Sequence, residues 1–198
     1  MKPIYIYGAS GHGLVVADIA KASGYEEIIF IDDGKNGYLS FDEIRKNNDI
    51  PIAFGIGINE IRKKLFHKVE VSGFEIVTLI HPTAVISPDV TIGKGTVVMP
   101  NVVINTKSTI GRGVILNTSS VIEHENVIGD FVHISPNVAL AGAVSIGELT
   151  HIGIGSSVIQ CLHIGEKCIV GAGSVIIRSI ESNILCYGNP CKIIKELN

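Results

Sequence analysis

Apolar and polar residues alternate along this chain in two different rhythms. Over the first eighty residues, short apolar runs are separated by helical patterns. "IYIY" (4 to 7) leads through "GASGHG" into "LVVADIAKASG", then "IIFIDD" (28 to 33), as a β-α-β start requires. "IPIAFGIG" (50 to 57) predicts a third strand. The stretch "NEIRKKLFHKVEVSG" predicts a helix with Asn59 as N-cap, Ile61, Leu65 and Val69 on its buried stripe, and Gly73 at its end. "FEIVTLI" (74 to 80) is expected to complete a small parallel sheet, with "HP" (81 to 82) as the exit.

From Ile86 the period becomes six. The positions 86, 92, 98 and so on to 176 are all large aliphatics, and Gly93, Gly111, Gly129, Gly147 and Gly165 recur every eighteen residues. Self-similarity at a fixed period signals a solenoid, here with three hexads to a coil and a triangular cross-section. At the spacing of paired strands, five-odd coils make a prism roughly 25 Å long. The first position of each hexad points inward, the second and sixth point outward, and the third begins a corner. Residues 182 to 198 break the period and are expected to cap the last coil. Two domains follow, 1–82 and 83–198.

Composition narrows the classes. Hydrophobic residues make up 46%, aromatics only 6%, and Trp is absent, so the core is expected to be Ile, Val and Leu. A net charge of −3 provides no basic field for nucleic acid. The cysteines Cys161, Cys168, Cys186 and Cys191 form no CxxC pair, which argues against a zinc site or a secreted disulfide framework and for reduced thiols in a cytoplasmic protein. No apolar window suits a signal peptide or a membrane span.

The [LIV]-G-x-x-x-x hexads, with "IVGAGSVI" and "YGNPCK" near the end, resemble the left-handed β-helix acyltransferases. Left-handedness comes from that resemblance. Taken with "YIYGASGHG", "IFIDD", "GIGINEIRKK" and "NTSSVIEHE", the chain is similar to the nucleotide-amino-sugar acetyltransferases, most closely those of the bacillosamine pathway of bacterial protein glycosylation. The fold class implied is α/β + β: a small Rossmann-like β-α-β domain followed by a left-handed parallel β-helix of hexapeptide repeats. "GNPCK" departs from the superfamily, which usually has Ala where Cys191 stands.

Glu123, His124 and Glu125 interrupt the aliphatic filler at a corner, where an ordinary polar turn is the plain reading. Against it stands chemistry: forming an amide from a thioester needs a base of near-neutral pKa, and imidazole is one. A neighbouring carboxylate would fix its tautomer. The resemblance makes Glu125 that partner, with Glu123 the rival and Asn117 a further candidate for support. His133 points outward half a coil away, so it can join His124 only across subunits. The family's homotrimers, with active sites between prisms, are consistent with that, and there the residue matching His133 contacts acetyl-CoA. His151 lies one coil above His133, but without a third ligand no metal is expected. His163 and His67 read as plain surface residues.

"GASGHG" after a strand suits a phosphate at a helix N-terminus, although its spacing differs from the dinucleotide fingerprint and small-residue turns also arise for structural reasons alone. Asp32 and Asp33 end the second strand where an acid often meets a ribose, or simply forms a turn. The resemblance assigns Ser10, Gly11, His12, Asp32, Asp33 and Gly57 to a UDP-sugar site, and Gly142, Ile154 and Ala172, with His133, to coenzyme A. The activity implied is transfer of acetyl from acetyl-CoA to the 4-amino group of a UDP-linked 4-amino-4,6-dideoxy sugar, with His124 as general base and no acyl-enzyme. The alternatives are sugar O-acetylation of the sialic acid type and a non-catalytic β-helix scaffold.

Overall fold

The computed structural model describes residues 2–34 and 37–197. The N-terminal part has β1 (Pro3–Tyr7), α1 (Gly11–Ala22), β2 (Glu27–Ile31), α2 (Phe41–Ile44), β3 (Ile52–Phe54) and α3 (Asn59–Glu70). Its strands form a parallel sheet in the order β2-β1-β3. Ile4 to Tyr7 are all buried because β1 is central and covered on both faces. One face packs on α1 through Val16, Ala17, Ile19 and Ala20, and that cluster runs on into the prism interior. The other face meets aromatics: Tyr7 stacks on Phe41 with centroids 5.6 Å apart, and Phe54 on Phe66 at 5.5 Å. The aliphatic core expected from composition therefore describes the prism, while five of the six phenylalanines are gathered in this second cluster.

The solenoid is left-handed, with about six turns. Face one stacks Leu79–Ile80, Val97–Val98, Ile115–Leu116, His133–Ile134, His151–Ile152 and Ile169–Val170. Face two runs from Val85–Ile86 to Val175–Ile176, and face three from Thr91–Ile92 to His163–Ile164. From Leu79 to Val175 successive rungs pair in parallel eighteen positions apart, as Ile115 does with Val97 and His133, and the last step on face one, Ile169 to Leu185, is sixteen.

Two features of the hexad lie beyond its aliphatic period. The fifth position also points inward and holds small residues, among them Thr96, Ser108, Ser120, Thr150 and Ser156, all essentially buried. The hydroxyls of Thr96, Ser108, Thr150 and Ser156 donate across the corner to the next coil, as Thr96 Oγ1 does to Gly111 O at 2.8 Å, whereas that of Ser120 is buried without a partner among the described residues. The fourth position is left-handed: Asn101, Lys107, Glu125, Phe131 and Ala143 all have φ between 56° and 60°. That conformation costs on the order of 1 kcal/mol per non-glycine residue. It is offset by hydrogen bonds to the coil below: the N–H groups of Glu125, Phe131 and Ala143 donate to third-position carbonyls, as Glu125 does to Thr106 O at 2.9 Å, while those of Asn101 and Lys107 donate to the side chains of Thr83 and Asp89.

Three local expectations are corrected. The N-cap position of α3 is Ile58 rather than Asn59, whose side chain is committed elsewhere, donating to Leu149 O at 2.9 Å and Thr150 O at 3.2 Å. The buried stripe is Arg62, Phe66 and Val69, with Ile61 exposed, because α3 turns towards a prism edge. "FEIVTLI" adds only the bridge Ile52–Ile76 to the N-terminal sheet, and Leu79–Ile80 pair instead with Val97–Val98 as the first rung of the prism. At the other end, Ile184–Tyr187 adds to face one and Lys192–Glu196 folds back antiparallel on it.

The halves are locked by α3. Phe66 meets Phe131 edge-on at 5.3 Å, and Arg62 is buried with no carboxylate partner among the described residues. Its guanidinium donates to Gly113 O, Ile56 O, Gly57 O, Phe131 O and the Asn59 side chain at 2.7 to 3.2 Å. Burial lowers its pKa to about 9, so it stays charged at neutral pH.

Candidate functional site

His124 and Glu125 occupy the corner between faces two and three, after Val121–Ile122 and before Val127–Ile128. The turn is made by Glu125 in the left-handed conformation, φ 60°. Beneath it Asn126, fully buried, donates to Glu123 O at 2.6 Å and to Ala141 O of the coil above at 3.0 Å, tying the corner down. The His124 ring meets Glu125 Oε2 through Nδ1 at 3.0 Å, and about half of each side chain is exposed. A carboxylate on Nδ1 selects the Nδ1–H tautomer and leaves the Nε2 lone pair free. Glu125 therefore orients the ring, whereas Glu123 contributes its backbone carbonyl, which Ser108 Oγ also bonds at 2.8 Å.

His133 stands on face one, away from that corner. It is largely buried, because α1 lays His12 over it with centroids 6.2 Å apart and His151 stacks beside it at 4.7 Å, nearly parallel. Asn117, a candidate supporter of the triplet, instead bonds His133 Nε2 at 3.1 Å, and Ser135 bonds His151 Nε2 at 2.8 Å. Burial, followed by the electrostatic influence of His151, Arg62 and His12, pushes the His133 pKa down to about 3. Burial and then Arg62 push His12 down to about 4 and lower His151. All three are neutral at pH 7. His12 thus packs against the prism, and its Nε2 is buried without a hydrogen-bond partner among the described residues.

Gly57 and His133 border one cavity of about 480 Å³ together with Ile58, Leu149, His151, Lys167 and Ile169. One position assigned to the sugar and one assigned to coenzyme A are brought together there. Among the described residues no group of three or more His, Cys, Asp or Glu is placed to hold a metal ion.

At the end of β1 a second cavity, of about 240 Å³, is lined by Gly8, Asp32, Asp33, Ile56, Ile61 and Leu65. Asp32 accepts from Ala9 N–H at 2.9 Å and Gly34 N–H at 3.0 Å. Asp33 accepts from Tyr7 Oη, Phe41 N–H and Lys68 Nζ at 2.6 to 2.9 Å. Burial alone would raise its pKa, but those bonds outweigh it and hold the carboxyl below the usual range. The two aspartates thus secure the turn, Asp33 more heavily. Ser10 occupies the N-cap position of α1 without a side-chain bond. Gly11 is exposed, and a Cβ there would meet nothing within 4 Å.

Ile154 and Ala172 lie one above the other on the edge between faces one and two, exposed. Gly142 sits one coil above His124 on the edge between faces two and three. The exposed thiol of Cys161 lies one coil further along that edge, on the order of 10 Å from Glu125 at the coil spacing. Its nearness to the triplet is invisible in the linear sequence.

Comparison with known proteins adds the family. Residues 3–69 match the PglD N-terminal domain. A UDP-N-acetylbacillosamine N-acetyltransferase of Bacillus subtilis is 37% identical over 111 residues, 50% of this chain and 51% of that protein, so the alignment spans about half the length of this curated relative. Among solved structures, the acetyltransferase domain of PglB from Neisseria gonorrhoeae is 36% identical with a TM-score of 0.92, over 98% of this chain and 100% of that one. PerB from Caulobacter crescentus, solved with CoA and GDP-perosamine, is 36% identical with a TM-score of 0.92, over 98% and 97%. WeeI from Acinetobacter baumannii is 29% identical with a TM-score of 0.90, over 96% and 99%. With a family domain on its N-terminal part, hexad coils behind it and likeness to solved acetyltransferases along nearly its whole length, the chain belongs to the PglD-like hexapeptide acetyltransferases.

Proposed function

We propose that this protein transfers the acetyl group of acetyl-CoA to the 4-amino group of a nucleotide-linked amino sugar, with His124 as general base. The observation that carries the reading is the exposed His124–Glu125 pair, whose tautomer presents a free Nε2. The amine attacks the thioester carbonyl, Nε2 accepts the proton the nitrogen sheds, and the C–S bond breaks to release CoA, whose thiolate can take that proton. Glu125 stabilises the imidazolium formed in between.

The acceptor we assign is a UDP-linked 4-amino-4,6-dideoxy sugar. The name of the Bacillus subtilis relative supports it, while PerB was solved with a GDP sugar. The nucleotide is assigned to the α1 turn with Ser10, Gly11, Asp32 and Asp33, the sugar to the region of His12 and Gly57, and acetyl-CoA to His133, Gly142, Ile154 and Ala172. His124 and His133 lie on different parts of one prism, so we assign the complete site to the junction of neighbouring prisms in a homotrimer. Cys161 is not given a role, because transfer between two bound reactants needs orientation rather than a covalent stop.

The test is an acceptor screen with labelled acetyl-CoA across UDP- and GDP-4-amino sugars and sialic acids, with NMR of the product. The expected product carries a new amide at C4 of a UDP sugar. Turnover only on a sugar hydroxyl, or on none of the acceptors, would contradict the assignment.

A further inference from the structure

Gly142 has no backbone reason to be glycine. Its φ lies outside the left-handed region, unlike that of Gly113 or Gly155. The second-position glycines are explained by the coil above: a Cβ on Gly93 would meet the backbone of Gly111 and Arg112 at 2.6 to 2.7 Å. Gly142 occupies a third position, where the other hexads from Pro88 to Arg178 carry Pro, Lys, Thr, Arg, His, Asp, Glu, Ile, Gln or Ala and no second glycine. Large side chains are therefore admissible at that point of the corner.

What a Cβ on Gly142 would meet is His124. The three nearest atoms are all in the imidazole, Cε1 at 2.4 Å, Nε2 at 2.5 Å and Nδ1 at 3.1 Å. The ring lies across the bare Cα of the coil above and covers it, so Gly142 is buried although it stands on an exposed edge. Two further contacts fix the same pair of coils: Ala143 N–H donates to His124 O at 2.9 Å, and Asn126 Nδ2 spans from Glu123 O to Ala141 O.

We propose that Gly142 is a positioning residue, whose missing side chain is the berth that holds the His124 imidazole against Glu125. This rests on His124 being the base and is separate from the coenzyme A contact assigned to Gly142, which a glycine can make only through its backbone and which the added methyl group leaves in place. The His124 side chain is half exposed, so a methyl group at 142 would push the ring out into solvent rather than break the fold. The ring would leave its carboxylate and its aim at the amine, and misplacement on the order of 1 Å is enough to cost about a hundredfold in rate.

The experiment is a kinetic double-mutant cycle of Gly142→Ala and His124→Ala in the full chain, with circular dichroism to check folding and NMR of the imidazole protons. The expected result is a kcat about 10²-fold lower for Gly142→Ala with KM for both substrates within about threefold of wild type, displaced His124 ring signals, and no further loss when the change is made on His124→Ala. A Gly142→Ala protein with wild-type kcat overturns the proposal. So does an equal loss in both backgrounds, because the residue would then act on the substrate itself. If His124→Ala alone keeps the wild-type rate, the base assignment has failed and the proposal with it. Ring signals that still move on Gly142→Ala would place that failure in the chemistry, and unmoved ones in the berth.

Discussion

At the scale of single residues, seven histidines divide by surroundings rather than by sequence context. His124 keeps half its surface and a carboxylate partner, the setting of a base that must gain and lose a proton. His12, His133 and His151 are packed between α1 and face one, and burial drives each towards the neutral form. This has a consequence for stability. The pKa values of His12 and His133 fall to about 4 and about 3 in the folded protein, so the unfolded chain takes up their protons first as pH drops below about 6.5. Stability present at neutral pH is therefore lost on acidification, by up to about 1.4 kcal/mol per pH unit for each histidine. Urea unfolding between pH 7 and pH 5 checks this. The His133→Asn protein should show a shallower decline than the wild type, and parallel declines would contradict the burial argument. In the sequence His133 was legible as outward-pointing on the prism. Its burial was not, because the covering helix lies more than a hundred residues earlier.

At the scale of elements, the hexad period made the prism legible almost strand by strand, since one aliphatic per six residues is what a three-sided coil needs. The corners were less legible. Their left-handed fourth position accepts Asn, Lys, Glu, Phe, Ala and Leu alike, so no residue type announces it. Helix α3 was misread for a related reason: Arg62 is buried by hydrogen bonds to five oxygen partners, which an apolar stripe does not foresee. In the "GASGHG" turn, packing now separates the glycines. A Cβ on Gly13 would stand 1.9 Å from Gly8 O, and Gly13 itself abuts Gly55, so this glycine lets α1 approach the sheet. Around Gly11 there is open space. Gly13→Ala is expected to destabilise the N-terminal domain by about 2 kcal/mol or more, whereas Gly11→Ala should melt within about 2 °C of wild type. If the turn holds the nucleotide, Gly11→Ala should still raise KM for the sugar nucleotide severalfold. Unchanged KM with unchanged stability would move the nucleotide away from α1.

At the scale of the whole molecule, α3 decides how the two halves are set. It lays Phe66 on Phe131 and threads Arg62 among carbonyls from both sides, so the N-terminal domain is fixed over one edge and the adjoining face of the prism. His12 thereby comes to rest above His133. The His124 edge lies elsewhere on the prism, and the reading of function joins the two by bringing a neighbouring copy alongside. The linear sequence told which residues carry chemistry more readily than which of them meet, because meeting depends on this docking and on the coil spacing that brings Gly142 against the His124 ring. The central claim is that this imidazole takes the proton during acetyl transfer. It is tested most directly by the turnover of His124→Ala on a 4-amino sugar nucleotide at saturating acetyl-CoA. The account predicts a folded protein with unchanged acetyl-CoA affinity and a kcat lower by about 10²- to 10⁴-fold. A kcat within a few-fold of wild type would contradict it.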